Sequence, residues 1–202
     1  HEEKIQYACQ GLKKKIAAGQ RWVYHTSDTY VLTTALQGFW REKRGPKADI
    51  YDDVFADSHR LQLSPVTHTS VRTYDNWAQP LGGFGLSFYA DDIARLAVFI
   101  NSDAGSSDWL DSSLYVQAMQ RTPDARGYPA AATGFWYHKG FWGRDYAELL
   151  GCETPAWVPR MSGYGGITVL LMPNDSIFYM FADGDYTKRS EPETLLDVLK
   201  TL

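Results

Sequence analysis

The sequence is poor in cysteine and has no long apolar run, and these absences exclude several kinds of protein. Its two cysteines, Cys9 and Cys152, are far apart and belong to no Cys-x-x-Cys pair, so a cysteine-based metal site is not expected. No run of about 18 apolar residues occurs, which predicts that no helix spans a membrane. No charged segment followed by an apolar one occurs near the start, so we expect no secretory signal peptide within these residues.

Motifs for metals, phosphate groups and nucleic acids are also missing. The five histidines form no His-Glu-x-x-His motif and no acid–histidine pair at ligand spacing, so we expect neither a metal nor a cofactor. The runs GGFG (82–85) and GYGG (163–166) lack the Lys-Ser/Thr of a phosphate-binding loop, and turns or close backbone approach explain them better. A net charge of −4 argues against nucleic acid or an anionic membrane as partner.

What the sequence does contain is the composition of a folded protein, with 44% hydrophobic and 14% aromatic residues among 202. We expect a single domain over residues 1–202. Apolar residues at helical spacing predict helices over residues 4–16, 28–41, 90–101 and 111–121. Residues 41–86 are rich in turn signals and predict a long irregular segment.

The second half of the chain changes to strand patterns. The aromatic run at 133–142 predicts a strand, and two apolar runs around the turn PNDS predict a hairpin within residues 165–184. Ser190 and Glu193 form a capping box that predicts a closing helix. Helices followed by neighbouring strands predict an α+β fold, in which an antiparallel β-sheet is flanked by helices.

The segment RWVYHTSDTYVL (21–32) gathers the side chains from which hydrolase sites are assembled. A nucleophilic Ser27 activated by His25 is one interpretation, but i, i+2 neighbours at a helix start do not normally face each other. The favoured interpretation is a helix entrance with Thr26, Ser27 or Asp28 as its N-cap.

Three segments, taken in chain order, resemble one family, the serine β-lactamase, penicillin-binding protein and esterase superfamily. AGQRWVYHTSDTYVL resembles its second motif, in which a run similar to Pro-Gly-x-x-Phe-x-Tyr-x-Asn enters a helix. GFGLSFYADDIARLAVFINSDAG resembles the family's Gly-x-Ser-Thr-x-x-Asp-Leu-Ala-Arg segment. MSGYGGITVLLMPNDSIFYMF resembles the third motif, His/Lys-Thr/Ser-Gly at the start of a strand that a turn and a second strand follow. The three segments cover about residues 20–185.

The resemblance implies a β-lactamase/transpeptidase-like fold and hydrolysis of a small-molecule ester or amide by acyl transfer to a serine. In that family a Ser-x-x-Lys helix supplies the nucleophile, the second-motif tyrosine or serine moves the proton, and the third-motif strand edge holds the acyl carbonyl. Here the third motif is Met161-Ser162-Gly163, which the resemblance makes the binding residues. It also suggests a periplasmic or secreted location.

The second motif can be matched in two registers. Counting from the preceding glycine makes Tyr24 the motif tyrosine and puts Thr26 at the asparagine position. Counting back from Tyr30 puts His25 first and Ser27 at the asparagine position. The first register needs no insertion and is preferred. Tyr24, His25 and Ser27 are therefore the candidate catalytic residues, although Tyr24 would also suit a structural aromatic.

Two departures from the family pattern limit the expected activity. No serine is followed three residues on by a lysine, so the Ser-x-x-Lys pair is missing. Met161 stands where the family has a cation or an imidazole. The chain therefore resembles the C-terminal two-thirds of such an enzyme, inactive alone, with the nucleophile supplied by an upstream segment or another polypeptide. The alternatives are a non-catalytic relative that serves as a binding or scaffold domain, and an accidental resemblance.

Overall fold

A computed structural model describes residues 2–13, 15–17, 19–56, 68–103, 110–130 and 134–182. Its helices are α1 Glu2–Gln6, α2 Thr26–Arg44, α3 Ala90–Val98, α4 Ser112–Ala118 and α5 Ala147–Leu150. Its strands are β1 His68–Ser70, β2 Leu86–Phe88, β3 Tyr128–Pro129, β4 Trp136–His138, β5 Phe141–Asp145, β6 Trp157–Gly163, β7 Ile167–Leu171 and β8 Ile177–Phe181. Single π-helical turns cover Tyr7–Gly11, Tyr51–Ala56 and Phe99–Asp103.

The chain divides into two compact units, residues 1–95 and 96–202, and each is described by itself. The expected single domain over 1–202 stays a prediction. None of the described helices combines the length and apolar character that crossing a membrane requires.

The second unit is built on a six-stranded antiparallel sheet whose strand order, β3 to β8, is the chain order. Short turns join β4 to β5, β6 to β7 and β7 to β8. Lys139 and Gly140, with φ of +46° and +93°, form the two-residue turn between β4 and β5 that such hairpins require. The turn PNDS separates β7 from β8, as the sequence predicts. With its helices, this sheet confirms the predicted α+β class.

Strand alternation divides this sheet into two faces. Residues paired across neighbouring strands share a face, so Val158, Leu170 and Phe178 lie on one side. There Val158 and Leu170 pack with the fully buried Tyr146, and Phe178 covers them. Asn101, also buried, ties the preceding helical segment to the β7–β8 turn by donating from Nδ2 to the carbonyl of Met172.

The first unit is organised around α2, whose buried residues are polar. Thr33 and Gln37 are buried, and Gln37 donates to the carbonyl of Ala48 at 2.6 Å while accepting from the amide of Ile50 at 2.9 Å. Gly82 lies against the same helix, because a Cβ there would stand 1.8 Å from Oγ1 of Thr33. This confirms that close backbone approach explains part of the GGFG run.

Several predicted elements differ in their limits. The helix expected over 4–16 ends at Gly11, so Leu12 and Ile16 are exposed. The predicted helix 28–41 runs from 26 to 44, and its N-cap is His25, which makes no side-chain capping hydrogen bond; the prediction of Thr26, Ser27 or Asp28 is therefore wrong. The irregular segment 41–86 includes the short strand β1, which pairs with β2. The closing helix from Ser190 lies outside the described residues.

Candidate functional site

The second-motif candidates stand at the entrance of α2, in the first unit. Tyr24, His25 and Ser27 are all exposed. The ring of Tyr24 lies 6.3 Å from that of Trp22, and the carbonyl of His25 accepts the amide of Asp28 at 3.1 Å. Backbone and ring contacts therefore orient this entrance.

Ser27 is the candidate that faces a cleft. It lines a cleft of about 560 Å³ between α2 and the loops that precede β2, where the other walls are largely apolar and include Tyr30, Val71 and Phe84. Tyr24 and His25 do not belong to its described lining. Ser27 therefore lines the cleft, whereas Tyr24 and His25, the two candidates for the first residue of the second motif, do not, although all three are close in sequence.

Two charged residues in the lining of this cleft, Arg72 and Asp75, have polar partners. Arg72 forms ion pairs with Asp49 and with Asp52, the second at 3.1 Å, and its guanidinium lies 5.4 Å from the centre of the Tyr51 ring. The hydroxyl of Thr73 donates to Asp75 at 2.7 Å, and this hydrogen bond is the main reason why the pKa of Asp75 is lowered. These ion pairs and this hydrogen bond hold the loop that contains Arg72, Thr73 and Asp75.

The third-motif residues occupy the end of β6 in the second unit. Met161, Ser162 and Gly163 are the last three residues of that strand, whereas the family pattern predicts the start of one. Ser162 is exposed and pairs with Thr168, while Met161 pairs with Val169. Because successive side chains point to opposite faces, Met161 and Ser162 lie on different sides of the sheet.

The end of β6 has one uncovered edge among the described strands. Its register with β5 ends at Arg160, but its register with β7 continues through Met161, Ser162 and Gly163. The backbone of these three residues is therefore paired on one side, and β5 does not cover the other. Such an edge presents main-chain N–H and C=O groups.

A second cleft, of about 410 Å³, lies beside this edge. Its described lining includes Phe135, Trp142, Arg160, Ser162 and Thr168, and Met161 is not part of it. The guanidinium of Arg160 lies 4.5 Å from the Phe135 ring centre, and its Nη2 is 3.5 Å from the hydroxyl oxygen of Ser162. This volume lies within the range of small-molecule sites.

The sequence did not point to Arg160 or Phe135, whereas for Trp142 it left a cleft-lining role open beside the favoured one of core or sheet packing. The signal for Arg160 was present, because a residue two positions before Ser162 on a strand must share its face. Phe135 and Trp142 reach the cleft through the β4–β5 hairpin, and only the register of that hairpin with β6 indicates it.

The predicted residues thus form two sets, Tyr24, His25 and Ser27 in the first unit and Met161, Ser162 and Gly163 in the second. Among the described residues, no group of three or more His, Cys, Asp or Glu side chains could hold a metal ion. Both cysteines are free and exposed.

No protein-family model matches the chain. A search of curated proteins likewise finds no match.

Proposed function

We propose that this chain forms part of a β-lactamase-like serine hydrolase that acts on an ester or an amide by acyl transfer. In this proposal Tyr24, or His25 in the alternative register, takes part in proton transfer, with Ser27 beside it. The backbone of Ser162 and Gly163 binds the acyl carbonyl. Met161 is a packing residue of the third-motif strand rather than a ligand-binding one.

The uncovered edge of β6 carries this proposal. Ser162 and Gly163 lie beyond Arg160, the last residue of β6 that pairs with β5, next to a cleft large enough for a small ester or amide. Preorganised main-chain donors at such an edge stabilise the negative charge that develops on an acyl oxygen. The order of the three family-like segments along the chain gives independent support.

The reaction needs a group that these 202 residues lack. A serine hydroxyl from a Ser-x-x-Lys helix adds to the substrate carbonyl carbon, and its proton passes to the second-motif group. The C–O or C–N bond then breaks, the alcohol or amine leaves with that proton, and water releases the acid from the acyl-serine. An upstream segment or another polypeptide supplies this serine in the proposal.

A non-catalytic binding or scaffold domain is the second candidate. Two observations favour it: no serine has a lysine three residues on, and Met161 points away from the cleft-lining side of β6. A domain of this kind would keep the clefts and bind without turnover.

The coding DNA upstream of His1 separates the two candidates. We expect an in-frame segment that contains Ser-x-x-Lys. The chain extended by this segment should hydrolyse a p-nitrophenyl ester or a chromogenic β-lactam and should form a covalent fluorophosphonate adduct, which intact-mass measurement and peptide mapping locate on that serine. The 202-residue chain should form no such adduct.

Variants of the extended chain complete the test. Replacing the Ser-x-x-Lys serine by alanine should abolish both hydrolysis and the adduct. Tyr24→Phe and His25→Gln distinguish the two registers: the preferred register predicts that Tyr24→Phe lowers kcat, and the alternative register predicts that His25→Gln does. An adduct on the 202-residue chain would disprove the claim that the nucleophile lies elsewhere. A native start codon near residue 1, with no hydrolysis, would favour the binding domain.

A further inference from the structure

One side of α2 carries an exposed apolar stripe. Leu32, Leu36 and Phe39 are 57%, 48% and 54% exposed. They recur at intervals of four and three residues, so they lie in one row along the helix. The apolar side of a surface helix normally faces its own core, but the buried positions of α2 are Thr33 and Gln37. An apolar row left on the outside of a protein is typical of an interaction surface.

Two small residues border the exposed stripe. Ala35 and Gly38 are both exposed. A Cβ at Gly38 would meet nothing within 4 Å, so close packing inside the described chain does not explain this glycine. Glycine weakens a helix interior relative to alanine, whereas small side chains let a second helix approach closely. The stripe therefore has the shape of a surface on which another helix packs.

The two ends of the stripe carry opposite charges. Asp28 lies in the first turn of α2 and Lys43 in the last, and both are exposed. Each is four residues from the nearest apolar member of the stripe, so both continue its row. Nζ of Lys43 lies 5.6 Å from the ring centre of Phe39 and 3.6 Å from Oε1 of Glu42. The Lys43 ammonium group thus lies at the end of the stripe.

The stripe is complementary to itself. Its members are spaced symmetrically about a point between positions 35 and 36, so an antiparallel copy of α2 brings together unlike residues. The opposed pairs are Leu32 with Phe39, Ala35 with Leu36, and Asp28 with Lys43. From this symmetry we propose that two copies of this chain associate through α2, which pairs antiparallel with itself about a twofold axis.

Charge determines the direction of this pairing. Antiparallel helices place an acid opposite a base at both ends of the interface, whereas parallel helices would place Asp28 opposite Asp28 and Lys43 opposite Lys43. The antiparallel arrangement also brings Lys43 of the partner subunit to the residue that directly follows Ser27. The proposed interface therefore borders the candidate residues at the entrance of α2.

The length of the stripe limits the strength of association. Residues 28–43 of a helix span about 22 Å. A single helix pair of this length falls at the low end of interface sizes, at about 1,200 Å² or less. We therefore expect a reversible dimer with a Kd of about 1–100 μM.

Sedimentation equilibrium of the 202-residue chain tests the proposal. Between about 1 μM and about 1 mM the mean mass should rise from that of one chain towards that of two. A chain that stays monomeric over this range would overturn the proposal. So would a mass that continues to rise beyond two chains, because a twofold interface closes on itself.

A charge at the centre of the stripe should prevent association. Leu36→Glu buries a carboxylate beside the twofold axis and should raise the Kd at least about hundredfold. Leu12→Glu is the matched control, since Leu12 is 59% exposed and lies outside α2; it should keep the wild-type Kd. Circular dichroism shows that both variants fold. Equal effects of the two substitutions, or none from Leu36→Glu, would contradict an interface on α2.

Exchanging the end charges tests the direction. Asp28→Lys and Lys43→Asp should each weaken the dimer about fivefold, because each converts both symmetry-related ion pairs into like-charge pairs. The double variant restores opposite charges and should recover the wild-type Kd. Parallel helices would face like charges in every one of these chains, so none of the substitutions would change their affinity. That result, or no recovery in the double variant, would overturn the antiparallel pairing.

The other possible occupant of the stripe is a segment encoded upstream of His1. If the chain extended by such a segment stayed monomeric while the 202-residue chain dimerised, that segment would cover α2 and the proposal would fail. An extended chain that dimerises, and that Leu36→Glu returns to a monomer, would support it. Both outcomes are read from mass alone, so they are independent of any hydrolysis.

Discussion

Asn101 holds the carbonyl of Met172. Its Nδ2 donates to that oxygen at 2.9 Å and to the carbonyl of Ser176 at 3.0 Å, at both ends of the turn that joins β7 to β8. Its own oxygens accept from Arg121 at 3.2 and 3.3 Å. A buried amide thus fixes the hairpin that borders the third-motif strand.

Replacing Asn101 should therefore destabilise the second unit. Asn101→Leu removes the donor from a buried carbonyl, and we expect the free energy of unfolding to fall by about 2–3 kcal/mol in urea denaturation. Asn174→Ala is the control in the same turn, since Asn174 makes an exposed hydrogen bond to the amide of Ser176; it should cost less than about 1 kcal/mol. Equal losses in the two variants would contradict the role of Asn101.

Gln37 should have a similar role in the first unit. Its amide satisfies the carbonyl of Ala48 and the amide of Ile50, which belong to the chain that leaves α2. Gln37→Leu leaves both backbone groups without this partner, so we expect a loss of about 2–4 kcal/mol in the free energy of unfolding. Glu42→Leu, at an exposed position of the same helix, should change it by no more than about 0.5 kcal/mol.

Alanine substitutions at Gly82 and Gly45 distinguish the cost of steric overlap from the cost of backbone strain. Both have positive φ, +71° and +104°. A Cβ at Gly82 would stand 1.8 Å from Thr33, whereas a Cβ at Gly45 would meet nothing within 4 Å. Gly45→Ala should thus cost about 1–2 kcal/mol, and Gly82→Ala about 2–5 kcal/mol, because overpacking adds to the strain.

Chemical denaturation of the two alanine variants measures this difference. If Gly82→Ala proved no less stable than Gly45→Ala, the loop before β2 would not lie as close to α2 as the structure has it. Wild-type secondary structure by circular dichroism in both variants would show that the comparison is one of stability.

His138 should make stability depend on pH. Burial is the main cause that lowers its pKa from the usual 6.5, and the charge of Lys139 lowers it further. Between the folded and unfolded pKa values the unfolded chain binds more protons, so the free energy of unfolding rises with pH across this interval. The contribution of His138 is complete above about pH 6.5 and declines as the pH falls below that value.

Melting temperatures measured from about pH 5 to pH 8 test this dependence. His138→Gln should flatten the part of the profile below about pH 6.5. Lys139→Gln removes only the neighbouring charge, so it should weaken the dependence without abolishing it. An unchanged slope in His138→Gln would show that other groups cause the decline.

The candidate site could be predicted only in part. The Ser-Gly pair of the third motif is a local signal, but the family pattern predicts it at the start of a strand and the structure has Ser162 and Gly163 at the end of β6. The partners of that strand are not local. That the pairing between β5 and β6 stops at Arg160, and that the Phe135 ring lies against its guanidinium, depends on registers between segments far apart in sequence. The roles of Tyr24, His25 and Ser27 stay predictions.

The class of fold, the approximate positions of four of the described helices and the β7–β8 hairpin follow from the sequence alone, because helical and strand periodicity and turn residues act over a few residues. Which face of each element is buried depends on tertiary packing. In α2 the apolar Leu32, Leu36 and Phe39 are about half exposed, while Thr33 and Gln37 are buried. Periodicity shows that one face of a helix is apolar, but burial depends on which non-local segment packs against that face. Here Gly82 and the chain after α2, which includes Ala48, pack against the polar side of α2.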